Sequence, residues 1–166
     1  MTRKQNQQSA KVVPLRPEED KRKSEKKWGR KVMQLGFSMI PSLLFRAQQR
    51  LGLNPTQLAI IVQLADYWWD PDRKPFPSKK KLSERLGLSP RQIQRQIAEL
   101  EMAGLVERVQ RYAPHKGKIS NEYDLTGLVK RLKKLEPEFR KAKEEVEDIR
   151  RQVKRRGGLR QRRNKK

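Results

Sequence analysis

The 166 residues contain no cysteine. Disulfides, thiolate metal sites and cysteine nucleophiles are thereby excluded together. Histidine occurs once, at His115, with no nucleophile in an evident relation to it. Apolar residues are few: the hydrophobic set makes up 34% of the chain and charged residues 37%. A chain of that polarity cannot be packed from end to end, so a modest core must lie between solvated segments. No apolar run approaches the roughly 18 residues of a membrane span. The basic N-terminus lacks a following apolar stretch, so no secretory signal is read. Phosphate-loop and metal-ligand spacings are absent, and Asp70 and Asp72 flank Pro71 as turn residues. These absences lead to the expectation of a protein that is not an enzyme, has no cofactor, metal or membrane partner, and resides in the cytoplasm.

Positive charge is what the chain has in excess. Lys and Arg number 42 against 19 acids, a formal net charge of +23. Residues 1–30 hold ten Lys/Arg against four acids, residues 31–125 fifteen against nine, and residues 126–166 seventeen against six. The excess is therefore steepest at the two ends. Charge of this sign and size draws a polyanion by displacing its condensed counterions.

Punctuation along the chain gives an organisation. Residues 1–30 read as a basic disordered tail, and Val32 to Pro41 as a short ordered lead-in. Leu43 to Leu51 reads as a helix stopped by Gly52. Asn54-Pro55 begins another, with Leu58, Ile61, Val62, Ala65 and Trp68 as its buried face. After the loop around Asp70 and Pro77, Ser78 caps a short helix through Leu86. Gly87 turns the chain, and Ser89-Pro90 starts a helix that runs to Ala103 and stops at Gly104. The period then shifts toward two: Leu105 to Tyr112 reads as a strand, Pro114 to Lys118 as a turn, and Ile119 to Leu125 as the returning strand. A long helix follows from Thr126, and Gly157-Gly158 opens a basic tail over 157–166.

The stretch from Leu82 to Ile97 has the spacing of a helix-turn-helix, in which two short helices cross steeply around a turn that suits glycine. Leu82, Leu86, Leu88, Ile93, Ile97 and Leu100 would close one small core. A strand–turn–strand placed after Gly104-Leu105-Val106 is where a β-wing belongs. The chain here resembles bacterial winged helix-turn-helix DNA-binding domains, such as those of phage and plasmid replication proteins and small transcriptional regulators. The segments that carry the resemblance are Pro77-Ser78, Leu86-Gly87-Leu88-Ser89, Ile93-Gln94-Arg95, Leu100 to Val106, and Asn121 to Leu125. The resemblance spans about residues 36–135 and implies a mainly α fold with a small β-wing. Ser83 stands where such motifs usually carry alanine, which fits if its hydroxyl bonds the preceding turn.

A helical wheel of the second motif helix sets Ile93, Ile97 and Leu100 on one side and Arg91, Gln94, Arg95 and Ala98 on the other, with Gln92 at the edge. Arginine grips guanine, and glutamine adenine, through paired hydrogen bonds in the major groove. Arg91, Gln92, Gln94 and Arg95 are therefore the expected base readers. Phosphate contacts are expected from Lys79, Lys80 and Lys81, from Ser89 at the next helix start, and from Lys116 and Lys118 in the wing.

Leu125, Leu128, Leu132, Leu135, Phe139, Ala142, Val146, Ile149 and Val153 alternate steps of three and four, a heptad pattern. Pro137 interrupts it, so a kink or break is expected there. The division is then a winged domain over 31–135 and a charged amphipathic helix over 136–156. The pairs Arg131–Glu136, Glu138–Lys143 and Glu145–Arg150 are opposite in sign, as a parallel homodimer coiled coil requires; the competing arrangement is a monomer whose helix folds back. The expected function is sequence-specific binding of double-stranded DNA at the nucleoid, as a transcriptional regulator or as a replication-initiation factor of a mobile element. The alternatives are an architectural or RNA-binding basic protein, and a protein-interaction module in a nucleic-acid complex.

Overall fold

The computed structural model describes residues 17–115 and 117–154. Residues 1–16, Lys116, and the chain from residue 155 onward, including the basic tail 157–166, lie outside the described residues.

Residues up to Ser38 form a first unit. It holds helices α1 (Pro17–Trp28) and α2 (Arg30–Gln34). The expectation of disorder through residue 30 is thus corrected for residues 17–30. Proline stands at the first helical position of α1, where its missing N–H costs nothing, and Lys26 and Lys27 complement the C-terminal end of the helix dipole. Gly29, at φ +88°, separates the two helices. Helix α2 buries no residue, so the lead-in is helical in part without being core.

The second unit begins at Met39. Its elements are α3 (Ser42–Arg46), α4 (Pro55–Asp66), α5 (Lys79–Leu86), α6 (Pro90–Met102), the strands β1 (Glu107–Val109), β2 (Tyr112–Ala113), β3 (Gly117–Lys118) and β4 (Glu122–Asp124), and α7 (Thr126–Lys154). Helix α3 is shorter than expected; the chain continues through turns to Gly52 at φ +69°. Helix α4 opens on a capping box: Gln57 N donates to Asn54 Oδ1 at 2.8 Å and Asn54 N to Gln57 Oε1 at 3.1 Å. Its buried stripe is Gln57, Ile60, Ile61 and Leu64. The expected face at Leu58, Val62 and Trp68 is only partly buried. The stripe is displaced because Gln57 can be buried: its amide donates to Glu99 Oε2 at 2.9 Å, and Asn54 Nδ2 donates to the buried Gln96 Oε1 at 3.0 Å. These bonds satisfy the polar atoms and dock α4 on α6.

The core is completed by Leu82, Ile93, Ile97 and Leu100, all fully buried, with Leu86 and Leu88 packed against them. The wing is two short antiparallel ladders. β1 pairs with β4, Arg108 opposite Tyr123, and β2 pairs with β3, Tyr112 opposite Lys118. Each expected long strand is therefore broken. Between the ladders lie two residues on one side (110–111) and three on the other (119–121), so the extra residue interrupts the pairing as a bulge does. Ile119 N still donates to Arg111 O at 3.0 Å across the gap. His115 sits in the wing turn with φ +97°. The loop before α5 closes on the wing, with Pro75 fully buried and its carbonyl accepting from Tyr123 N at 2.8 Å.

Helix α7 runs for 29 residues and carries through Pro137, so the expected break does not occur. Proline leaves one carbonyl, that of Lys133, without its helix bond. Both residues lie on the exposed side, where water can serve that carbonyl. Leu125, Leu128 and Leu135 are buried, and Leu132 and Phe139 pack against the core. Arg50 pairs with Glu138 at 2.8 Å. The grip of the domain on α7 thus passes the expected boundary at residue 135 and reaches Phe139.

Asp124 ties three parts of this unit together. It pairs with Lys74 of the pre-α5 loop at 2.8 Å and accepts from Thr126 N, at the start of α7, at 2.7 Å. The Lys74 ammonium, followed by the Thr126 bonds, holds its carboxyl at about 2 against an ordinary 3.8. The contribution of a depressed carboxyl is present above the unfolded value and is lost as pH falls through the folded one. Wild type should therefore have a higher thermal midpoint than Asp124→Asn at pH 5, with the difference closing as pH falls from about 4 to about 2. A gap that stays constant across thermal melts over this range would refute that role.

Candidate nucleic-acid interface

The two helices α5 and α6 are fixed by their ends. Ser78 Oγ accepts from Lys81 N at 3.1 Å and caps α5. Gly87 closes it at φ +64°, a left-handed conformation that costs a side chain about 1–2 kcal/mol. The Ser83 hydroxyl donates to the Leu88 carbonyl, and Leu88 N donates back to Ser83 O at 3.2 Å. The serine therefore bonds forward into the motif turn, which corrects the expectation of a bond to the preceding turn. Ser89 begins α6 with a capping box: its Oγ accepts from Gln92 N at 3.2 Å, and Gln92 Oε1 accepts from Ser89 N at 2.8 Å. Pro90 occupies the first helical position.

With Ile93, Ile97 and Leu100 turned into the core, Arg91, Gln92, Gln94 and Arg95 are all exposed on α6. Their surroundings differ. Arg91 has no hydrogen-bond or ion-pair partner among the described residues. Arg95 lies 3.9 Å from Glu99 one turn on. Gln94 Oε1 accepts from Lys79 Nζ at 3.1 Å, which ties α6 to the first turn of α5. Gln92 commits its side-chain oxygen to the cap, so the two-bond grip on adenine expected of it is not open while the box stays closed. Ser89 likewise uses its oxygen as a cap acceptor, although its hydroxyl hydrogen can still be donated.

A hollow of about 640 Å³ separates α6 from the wing. Lys79, Lys80 and Gln94 line one side, and Gln110, Lys118 and Asn121 line the other. The structure thus brings together Lys79, Lys80 and Lys118 from the expected phosphate set. Lys81 points elsewhere: its Nζ lies 5.3 Å from the centre of the Tyr67 ring, on a neighbouring hollow. Gln110, Asn121 and Arg108 were not singled out from sequence; the only signal was polarity inside wing strands. Arg108 joins β1 to α6. Its backbone N and Nε donate to Glu101 Oε1 at 2.9 and 2.8 Å, and its Nη2 to Oε2. The Arg108 guanidinium holds the Glu101 carboxyl below its ordinary value, which keeps the pair charged.

Among the described residues no group of His, Cys, Asp and Glu could hold a metal ion. No helix there is long and apolar enough to cross a membrane.

Comparison with known proteins matches residues 51–106 to the family described as a helix-turn-helix domain. No curated protein matches the chain. Among solved structures, the N-terminal domain of DnaD protein from Geobacillus kaustophilus is similar at 20% identity and a TM-score of 0.47, over 75% of this chain and 96% of that one. The matched span runs from the turn after α3, through α4, α5 and α6, to the residue before β1. Residues 51–106 of this chain are thus similar to a helix-turn-helix domain, and small antiparallel hairpin strands and a long C-terminal helix follow them.

Proposed function

We propose that the chain binds double-stranded DNA sequence-specifically, as a transcriptional regulator or as a replication-initiation factor of a phage or plasmid, at the nucleoid in the cytoplasm. The observation that carries this is the exposed polar face Arg91, Gln94 and Arg95, set beside a groove whose rims hold Lys79, Lys80 and Lys118. In this reading α6 enters the major groove and the lysines hold the flanking phosphates. Arg91 and Arg95 suit guanine. Gln94 suits adenine once Lys79 leaves its oxygen for a phosphate. The basic ends add attraction that is indifferent to sequence.

Arg91→Ala and Gln94→Ala should each cost about 1–3 kcal/mol at one base pair. Both side chains are exposed, so the domain should melt as wild type does. Affinities for a panel of single-base variants of a selected site check this. A double variant that ranks the panel as wild type does would remove α6 as the reading helix.

We also propose that the chain forms a parallel homodimer through α7, the exposed positions Ala142, Val146, Ile149 and Val153 making its seam.

A further inference from the structure

We propose that a second hollow, next to the interface above, takes an unpaired nucleotide of a DNA strand, its base against Trp69 and its phosphate against Arg73 and Lys81. The inference rests on the DNA-binding reading and extends it to a distinct site. The hollow measures about 580 Å³, within the range that holds small ligands. Its wall combines the aromatic rings of Tyr67, Trp69 and Phe76 with the cations Arg73, Lys74 and Lys81 and one acid, Asp70, whose Oδ1 accepts from Asp72 N at 3.0 Å.

That combination defines the ligand. Three cations against one acid disfavour a cationic ligand, and a purely apolar one would leave the charges unused. Lys74 is already held by Asp124 at 2.8 Å. Arg73 and Lys81 have no acidic partner among the described residues; they lie over the rings of Phe76 and Tyr67, each 5.3 Å from the ring centre. An anion with a flat π-face satisfies both parts of this wall. Trp69 is 60% exposed and lines the hollow. Ser78 and Ser120 line both this hollow and the groove that holds Lys79 and Lys118. A strand leaving a bound duplex would therefore pass from one into the other. Bases inside a duplex are stacked and out of reach, so the nucleotide taken is an unpaired one.

The test is a duplex carrying the selected site and a short single-stranded overhang with a fluorescent adenine analogue, compared with the same duplex blunt-ended and with free deoxyadenosine monophosphate. Wild type should bind the overhang duplex about ten- to a hundredfold more tightly than the blunt one and quench the analogue. Trp69→Ala should erase that advantage and the quenching while leaving blunt-duplex affinity unchanged. Arg73→Glu, which spares the aromatic surface, should also erase the advantage. Equal, measurable binding of both duplexes by wild type would overturn this site and leave the DNA-binding reading standing. Binding of neither would overturn both. Saturation by the free nucleotide without preference for the overhang would overturn capture from a strand.

Discussion

Replacing Gly127 by alanine should destabilise the folded chain by about 3 kcal/mol and lower its thermal midpoint by roughly 10 °C. A Cβ at this position would lie 2.1 Å from the Gly104 carbonyl oxygen and 3.1 Å from its carbon. Both are backbone atoms, so no side chain can swing aside. Gly104 stands at φ +66° where α6 ends, and Leu128 N donates to Leu105 O at 3.0 Å. The start of α7 is therefore seated directly on the corner between α6 and β1. Pushing it off would loosen Leu125, Leu128 and Leu135 together. Gly104→Ala is the contrasting case: no atom lies within 4 Å of its added Cβ. Only the left-handed backbone resists, at about 1–2 kcal/mol. Thermal or denaturant melts of the two variants separate the causes. A Gly127→Ala protein as stable as wild type would refute the close approach.

Val146→Asp combined with Ile149→Asp should convert the proposed dimer to a monomer. Val146 and Ile149 are 49% and 59% exposed, and neither belongs to the core, which ends on α7 at Phe139. The winged domain should therefore remain folded while two unpaired carboxylates enter each helix's seam, at several kcal/mol. The association is expected to be weak, because the free seam holds only four positions. Two of the three complementary pairs are also drawn elsewhere: Glu138 to Arg50 at 2.8 Å and Glu136 to Arg140. Glu145 and Arg150 remain for the partner helix. Parallel helices would set two recognition helices at the same end of the coil, able to enter major grooves about 34 Å apart. Binding to one half-site should survive the double substitution and cooperative binding to two should fail. Sedimentation with and without a two-site duplex reads this directly; a wild type that stays monomeric in both refutes the dimer.

Much of this architecture was legible from local chemistry. Asn54-Pro55, Ser78 and Ser89-Pro90 mark helix starts because their caps need only residues within one turn. Gly87 marks the motif turn because a left-handed backbone is needed there. Ile93, Ile97 and Leu100 lie on the buried face that their spacing indicates. What was not legible depends on partners distant in sequence. Gln57 is buried because Glu99, distant in sequence, accepts from its amide, and this shifts the buried face of α4. Gly127 resembled any glycine until Gly104 was set against it. Lys81 lies beside Lys79 and Lys80 in sequence, but the helix turns it toward Tyr67. The capping role of Gln92 follows from the spacing Ser89-Pro90-Arg91-Gln92, and the wheel alone obscured it. The ladders of the wing shortened because the bulge between them depends on the register of two strands, which alternation in one strand does not report.

In the proposed function α6 reads sequence in duplex DNA. The most direct measurement is the affinity of the full chain for a duplex selected from a random pool, against a scrambled duplex of equal length, across a range of salt. The selected duplex should bind about a thousandfold or more tightly than the scrambled one at physiological salt, while both affinities fall steeply as salt rises. Equal affinities at every salt concentration would contradict it and leave a basic chain that binds any polyanion.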